Sequence, residues 1–161
     1  MSRADDPLQP CPKKMDSSLS QFLPDADATR SVAMGIADTL RGGEVIALVG
    51  QLGAGKTEFV KGLAAGLGYE GAVTSPTFSL VHEYAGGRLM LLHFDLYRLE
   101  SEMALLALGW DEYLEENEAV TVVEWADRFP RMLPAHSRWF RLEHLESGGR
   151  YLRSIPAATM D

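Results

Sequence analysis

Apolar residues recur every four positions at Val32, Ile36 and Leu40, downstream of Pro24 and a capping candidate at Asp25, and Gly42-Gly43 follows them. That spacing predicts an amphipathic helix that opens at Asp25 and closes at the glycine pair. The pattern then changes: Val45 to Val49 is an unbroken apolar run between Gly43 and Gly50, as expected of a short strand buried on both faces. A glycine loop intervenes before Phe59, Leu63 and Leu67 resume helical spacing from Lys56, and Gly66 and Gly68 end it.

Farther along, Thr77 to Tyr84 alternates, with Phe78, Leu80, His82 and Tyr84 on one side, which predicts a strand; Gly86-Gly87 turns the chain and Leu89 to Phe94 predicts another. Ser101 is placed to cap a helix reaching Leu106, and Gly109 separates it from a second apolar stripe at Trp110, Tyr113 and Leu114. Val120 to Val123 reads as a third buried strand. Trp139 to Leu145 and Tyr151 to Ile155, flanking Ser147-Gly148-Gly149, predict an antiparallel hairpin. Helices mixed with strands imply an α/β fold: three layers around a mixed, largely parallel central sheet, with a C-terminal antiparallel hairpin. Residues 1–18, rich in proline and mixed charge, predict a mobile tail, leaving 19–161 as one domain.

The 161 residues suffice for one core, and 46% apolar with 24% charged residues excludes a disordered tail protein, a collagen-like fibre or a coiled coil. No apolar run approaches the roughly 20 residues of a bilayer span, and the leader lacks a signal-peptide stretch, so the expectation is a cytoplasmic protein with no membrane contact. The one cysteine, Cys11, allows no disulfide framework. A net charge of −8 opposes unaided binding to nucleic acid. The charge is concentrated: residues 95–127 hold ten acids and one base, whereas 128–161 hold six bases and three acids.

Gly50-Gln51-Leu52-Gly53-Ala54-Gly55-Lys56-Thr57 fits G-x-x-x-x-G-K-[ST], after a predicted strand and before a predicted helix. In that context glycines let successive backbone N–H groups converge on phosphate oxygens, and the helix N-terminus adds partial positive charge. Lys56 supplies a point charge to the β- and γ-phosphates, and the Thr57 hydroxyl is placed to ligate Mg²⁺. The domain is therefore expected to be P-loop NTPase-like, with a nucleotide cofactor. Hydrolysis also needs carboxylates at strand ends. Asp95 ends the run Leu89 to Phe94, as a metal-orienting aspartate would, and Glu124 ends Val120 to Val123, placed to ligate metal or orient the attacking water. Thr77, in Thr74-Ser75-Pro76-Thr77-Phe78, is a candidate to offer its hydroxyl to the γ-phosphate or the metal, with an ordinary turn as the alternative. His93 shares a strand face with Asp95, as a catalytic group or a hydrogen-bonded core histidine.

A guanine reader Asn-Lys-x-Asp is absent, since the single asparagine, Asn117, precedes Glu118; the four histidines show no zinc spacing, and there is no G-x-S-x-G elbow. Asp25 to Thr29, Gly50 to Thr57, Ser75-Pro76-Thr77-Phe78, His93-Phe94-Asp95-Leu96-Tyr97-Arg98 and Glu124-Trp125 together resemble the TsaE (YjeE) family of small bacterial ATPases serving tRNA threonylcarbamoyladenosine synthesis. The resemblance spans about Phe22 to Ile155. It implies a protein that binds ATP or ADP with Mg²⁺, hydrolyses ATP slowly alone, and works with TsaD and TsaB proteins that place threonylcarbamoyl on adenosine 37 of tRNA. Contact with tRNA would run only through that complex, the chain alone being monomeric. The resemblance also implies that Lys56 and Thr57 hold phosphates and metal, that Thr77 lies in a switch-like loop, and that Asp95 and Glu124 serve metal binding and hydrolysis. Asp25 and Thr29 would lie near the nucleotide base, with Gly149 and Arg150 also near the nucleotide. One departure is Gln51, where many members carry an acid. The alternative is a small-molecule kinase of the P-loop class, with Arg128 and Arg131 as a phosphate-clamping lid.

Overall fold

The glycines and capping residues cut the described residues into seven strands and four helices, in the order β1 (Ser20–Leu23), α1 (Ala26–Ala37), β2 (Val45–Val49), α2 (Lys56–Gly66), β3 (Val81–Tyr84), β4 (Met90–Asp95), α3 (Glu102–Ala107), α4 (Trp110–Leu114), β5 (Ala119–Glu124), β6 (Arg138–His144) and β7 (Arg150–Ile155). Two 3-10 turns, Ala126–Arg128 and Pro130–Met132, lie between β5 and β6. This computed structural model describes residues 19–157; the expected tail and Cys11 lie outside the described residues. No helix among the described residues is long and apolar enough to cross a membrane.

One sheet holds all seven strands in the order β1-β7-β6-β2-β5-β4-β3. The β2–β5, β2–β6 and β4–β5 pairings are parallel, and β1–β7, β6–β7 and β3–β4 are antiparallel, so only β3 and β7 run against the other five. The sheet is thus mixed and largely parallel, with the expected C-terminal hairpin.

The unbroken apolar run of β2 is explained by its two covered faces. Ile46 and Leu48 pack with Phe59 and Leu63 of α2 and Ile36 of α1, whereas Val45, Ala47 and Val49 pack with Phe94, Leu105, Trp110 and Trp139 on the opposite face. Helices on both sides of the sheet make the three layers.

Helix α1 is capped by Asp25, whose Oδ1 accepts from the Ala28 N–H at 2.8 Å, and it ends at Ala37, earlier than the Ile36–Leu40 spacing predicts. Its inward face is Thr29, Ala33, Ile36 and Ala37, with Val32 only partly buried. Small residues are needed there because α2 comes close at Gly62 and Gly66: a methyl group on Gly62 would stand 2.3 Å from the Arg30 carbonyl oxygen and 2.7 Å from the Ala33 methyl. Gly62→Ala is therefore expected to destabilise the fold by about 2 kcal/mol, a backbone clash of about 3 outweighing the roughly 1 kcal/mol of regained helix propensity. A lower urea midpoint checks this; an unchanged one would mean that the helices separate at no cost.

Two expectations change. Strand β1 is an edge strand with only Leu23 buried, too brief and too exposed for its apolar pattern to announce it. The strand read from Thr77 begins instead at Val81, because Pro76–Leu80 forms a turn in which the Leu80 N–H donates to the Pro76 carbonyl at 2.6 Å and Leu80 takes φ 70°. Phe78, expected on one strand face with Leu80, His82 and Tyr84, lies in this turn instead and is 85% exposed.

Candidate functional site

At the C-terminal ends of the parallel strands, the loop between β2 and α2 borders a cleft of about 530 Å³ lined by Leu52, Gly53, Gly55, Lys56, Thr57, Ser75, Thr77, Asp95, Glu124 and Arg150, among others. Open α/β sheets characteristically place ligand sites at this end. Gly53 (φ 80°) and Gly55 (φ 102°) adopt left-handed conformations that a side chain would strain. Ala54 is buried and donates its N–H to the Gln51 carbonyl at 3.0 Å, which closes the loop on itself. Leu52 stands 81% exposed at the rim, and Gly50 and Gln51 border a second cleft beyond Trp125.

Helix α2 opens at Gly55 without a side-chain cap. Its first N–H groups therefore have no side-chain cap at Gly55, and the helix dipole favours an anion there. A Cβ on Gly55 would stand 2.1 Å from a guanidinium nitrogen of Arg150, whose Nε is buried with no hydrogen-bond partner. A helix start without a side-chain cap, a left-handed glycine at its mouth and an unsatisfied guanidinium N–H fit a bound phosphate group.

Lys56 is buried; its Nζ donates to the Gly50 and Gln51 carbonyls at 2.5 and 2.8 Å and lies 4.1 Å from the centre of the Trp125 ring. Burial pushes the ammonium's pKa below the usual lysine value, against the opposing pull of Glu124, Asp95 and Asp127. A charge held at such a desolvation cost gains from an anionic partner.

The two candidate carboxylates are register neighbours at the ends of β4 and β5, both almost wholly buried. Strand order separates their surroundings. Since β5 adjoins β2, Glu124 stands beside the loop and its Oε1 accepts from the Thr57 hydroxyl at 3.1 Å. Asp95, one strand farther out, is met by the Thr74–Thr77 segment: its Oδ2 accepts from Ser75 Oγ at 3.1 Å and Thr77 Oγ1 at 3.0 Å, and its Oδ1 from the Tyr97 N–H at 2.9 Å. Thr77 thus lies with the carboxylates. His93 is fully buried with its Nε2 2.7 Å from Glu124 Oε2, the hydrogen bond that a core histidine requires.

The residues expected near a base are less directly exposed to the cleft. Asp25 uses its carboxylate as the α1 cap, and Thr29 is fully buried with its hydroxyl 3.3 Å from the Asp25 carbonyl; Ala26 is the α1 residue that lines the cleft. Sequence reasoning did not single out Tyr97 and Arg98 as lining residues, although they follow Asp95 at the same strand exit. Trp125 is a cleft wall as well as a core neighbour: it holds φ 57°, uncommon for a bulky side chain, and its ring lies 4.8 Å from that of Tyr97. No group of three or more His, Cys, Asp or Glu among the described residues is arranged to hold a metal by itself.

Comparison with known proteins matches residues 23–152 to the family described as "Threonylcarbamoyl adenosine biosynthesis protein TsaE". A tRNA threonylcarbamoyladenosine biosynthesis protein TsaE from Nostoc is 41% identical over 119 residues, 72% of this chain and 73% of that protein. One from Bacillus subtilis is 44% identical over 108 residues, 67% of this chain and 66% of that protein. A crystal structure of YdiB from Bacillus subtilis superposes with a TM-score of 0.72 at 31% identity, covering 87% of this chain and 86% of that one.

Proposed function

The chain belongs to the TsaE family, and from that membership together with the geometry of the cleft we propose that it binds ATP or ADP with Mg²⁺ and hydrolyses ATP. The carrying observation is the meeting of the uncapped α2 terminus, Lys56 and the Thr57–Glu124 pair in one cleft. The backbone N–H groups of residues 50–57, from Gly50 and Gln51 through Leu52, Gly53 and Gly55, cradle the phosphates, while the Ala54 N–H holds the loop closed on the Gln51 carbonyl. Lys56 and Arg150 supply charge to them. Asp25 and Thr29 shape the α1 end of the cleft beside the base, through Ala26.

Thr57, Glu124 and Asp95 are the residues that would hold Mg²⁺, which characteristically takes only one or two carboxylates and fills its other positions from phosphates and water. When bound, the ion neutralises charge developing on the transferred phosphoryl group. Thr77, hydrogen-bonded to Asp95, ties the Thr74–Thr77 loop to that carboxylate. Glu124 orients the metal or the attacking water.

The activity falls within tRNA threonylcarbamoyladenosine biosynthesis, the process that the family's description carries. The chain is expected to turn ATP over slowly alone, as a cytoplasmic monomer, and to work with TsaD- and TsaB-type proteins, meeting tRNA only through them. Its charge of −8 suits docking on protein better than gripping a phosphate backbone. If the acidic 95–127 segment does the docking, affinity for the partner pair is expected to fall roughly tenfold between about 0.05 and 0.3 M salt. A salt-insensitive affinity would make that segment an ordinary solvated face.

The kinase alternative lacks support at its clamp, since Arg128 donates to the Leu99 carbonyl at 2.7 Å instead of standing free over the cleft. Single-turnover ATP hydrolysis, with and without the two partners, tests the proposal. Absence of hydrolysis under both conditions would reject it.

A further inference from the structure

Behind the wall of the cleft, one buried group has no part in the reading above: the imidazole on β4 that faces Glu124. Period-two alternation puts residues 91, 93 and 95 on the α2 side of the sheet, where an apolar residue at 93 would continue the core around Leu91. A histidine at 0% exposure is costly there unless both ring nitrogens find partners. Its Nε2 meets Glu124 Oε2 at 2.7 Å, and its Nδ1 faces the Tyr84 hydroxyl at 3.5 Å. The single proton of that hydroxyl is shared between His93 Nδ1 and the Thr74 carbonyl at 2.9 Å, its oxygen accepts from the Thr74 N–H at 3.3 Å, and His82 Nδ1 lies 3.2 Å from it. The Tyr84 ring is itself held against Tyr69, with centroids 5.0 Å apart.

A glutamate has rotatable bonds that a hydrogen bond to one oxygen leaves free. Glu124 is held on both: Thr57 on Oε1 and His93 on Oε2. We infer that His93, braced by Tyr84, is a positioning residue that fixes the Glu124 carboxylate for Mg²⁺-dependent chemistry and links it to the loop at Thr74. The inference rests on the proposed ATPase reading. The linkage closes a circuit: Thr74 is held by Tyr84, while Ser75 and Thr77 on the same loop hold Asp95, the register neighbour of Glu124. Displacement of the loop therefore acts on both carboxylates at once, directly on Asp95 and through Tyr84 and His93 on Glu124.

Reach separates this role from core filling. A glutamine amide extends to the place of Nε2, whereas an asparagine amide stops near Nδ1. The full chain as wild type, His93→Gln, His93→Asn, His93→Leu and Tyr84→Phe is assayed for melting temperature, for affinity toward a fluorescent ADP analogue in EDTA and across a Mg²⁺ titration, and for kcat and KM of ATP hydrolysis with the partner proteins. Expected is unchanged analogue affinity in EDTA for all variants. His93→Asn and His93→Leu raise the Mg²⁺ concentration needed for half-maximal effect by about tenfold or more, and lower kcat similarly with little change in KM, as loss of a ligand's hydrogen-bonding partner typically does. His93→Gln recovers most of both, and Tyr84→Phe shows a smaller loss, of about threefold.

Wild-type Mg²⁺ response in His93→Asn, or equal impairment of Gln and Asn, overturns the inference whether or not the Leu variant folds. A wild-type chain that never hydrolyses ATP rejects the ATPase reading instead, and the Mg²⁺ titration of analogue binding still decides on the brace.

Discussion

Lys56→Ala is expected to weaken ATP binding by about two orders of magnitude, since each charge-assisted hydrogen bond to phosphate is worth about 1.5–3 kcal/mol and this ammonium is placed to serve two phosphates. Among the described residues no other lysine lines the cleft, and Arg150 approaches from the Gly55 side. The fold should tolerate the change. The Nζ bonds only to the Gly50 and Gln51 carbonyls and sits against Trp125, and its charged form is already disfavoured by burial. Calorimetric titration of ATP in magnesium-containing buffer reads the affinity, and a variant within threefold of wild type would remove Lys56 from phosphate binding. Because the loop amides remain, residual weak binding is expected rather than none.

Glu124→Ala is expected to behave in the opposite way, keeping ADP affinity within a few-fold while turnover falls by about a hundredfold or more, the signature of a group that acts chiefly on the metal or the reacting water. Here stability must be watched. The substitution leaves the Thr57 hydroxyl and His93 Nε2 facing an emptied buried site, at a cost of about 1–3 kcal/mol for each unsatisfied group. Glu124→Gln keeps the volume and an acceptor for His93, so it should stay close to wild type in melting temperature while remaining slow. Rapid hydrolysis by the Gln variant at saturating Mg²⁺ would show that the negative charge of Glu124 is dispensable.

Both expectations hang on parts of the site that were differently legible. The phosphate loop was readable because all its requirements are local: eight consecutive residues, glycines where φ is positive at 53 and 55, and apolar periodicity that switches from strand to helix on either side. Helices α3 and α4 were equally local, announced by the Ser101 cap and the Gly109 break, and both appear where those signals put them. Strand β1 was missed because it is stabilised almost entirely by pairing with β7, whose residues lie some 130 positions away in the chain. The residues around Thr77 misled for the reverse reason. Their alternation satisfied a strand pattern, but the turn from Pro76 to Leu80 instead brings Ser75 and Thr77 onto Asp95, and Phe78 is turned outward.

Helix α1 teaches a related point about packing. Of the large residues Val32, Ile36 and Leu40 that suggested the buried stripe, Ile36 and Leu40 are buried and Val32 only partly, while the closest approach to α2 is set by Ala33 and Ala37 against Gly62 and Gly66. Close approach of two helices depends on what is absent from the side chains, and hydrophobic periodicity counts only what is present.

What the amino-acid sequence determined by itself was the phosphate-binding loop, the alternation of elements and two carboxylates at strand ends, since each follows from backbone conformation and side-chain period over a few neighbouring residues. Tertiary structure alone decided which carboxylate stands beside the loop. Strand order places β5, not β4, against β2, so Glu124 meets Thr57 and Asp95 meets Ser75 and Thr77. It also decided that His93 faces Glu124, 31 positions away. Such pairings arise from register between strands distant in the chain, where the governing energies belong to the assembled sheet and leave no local mark on the segments that meet.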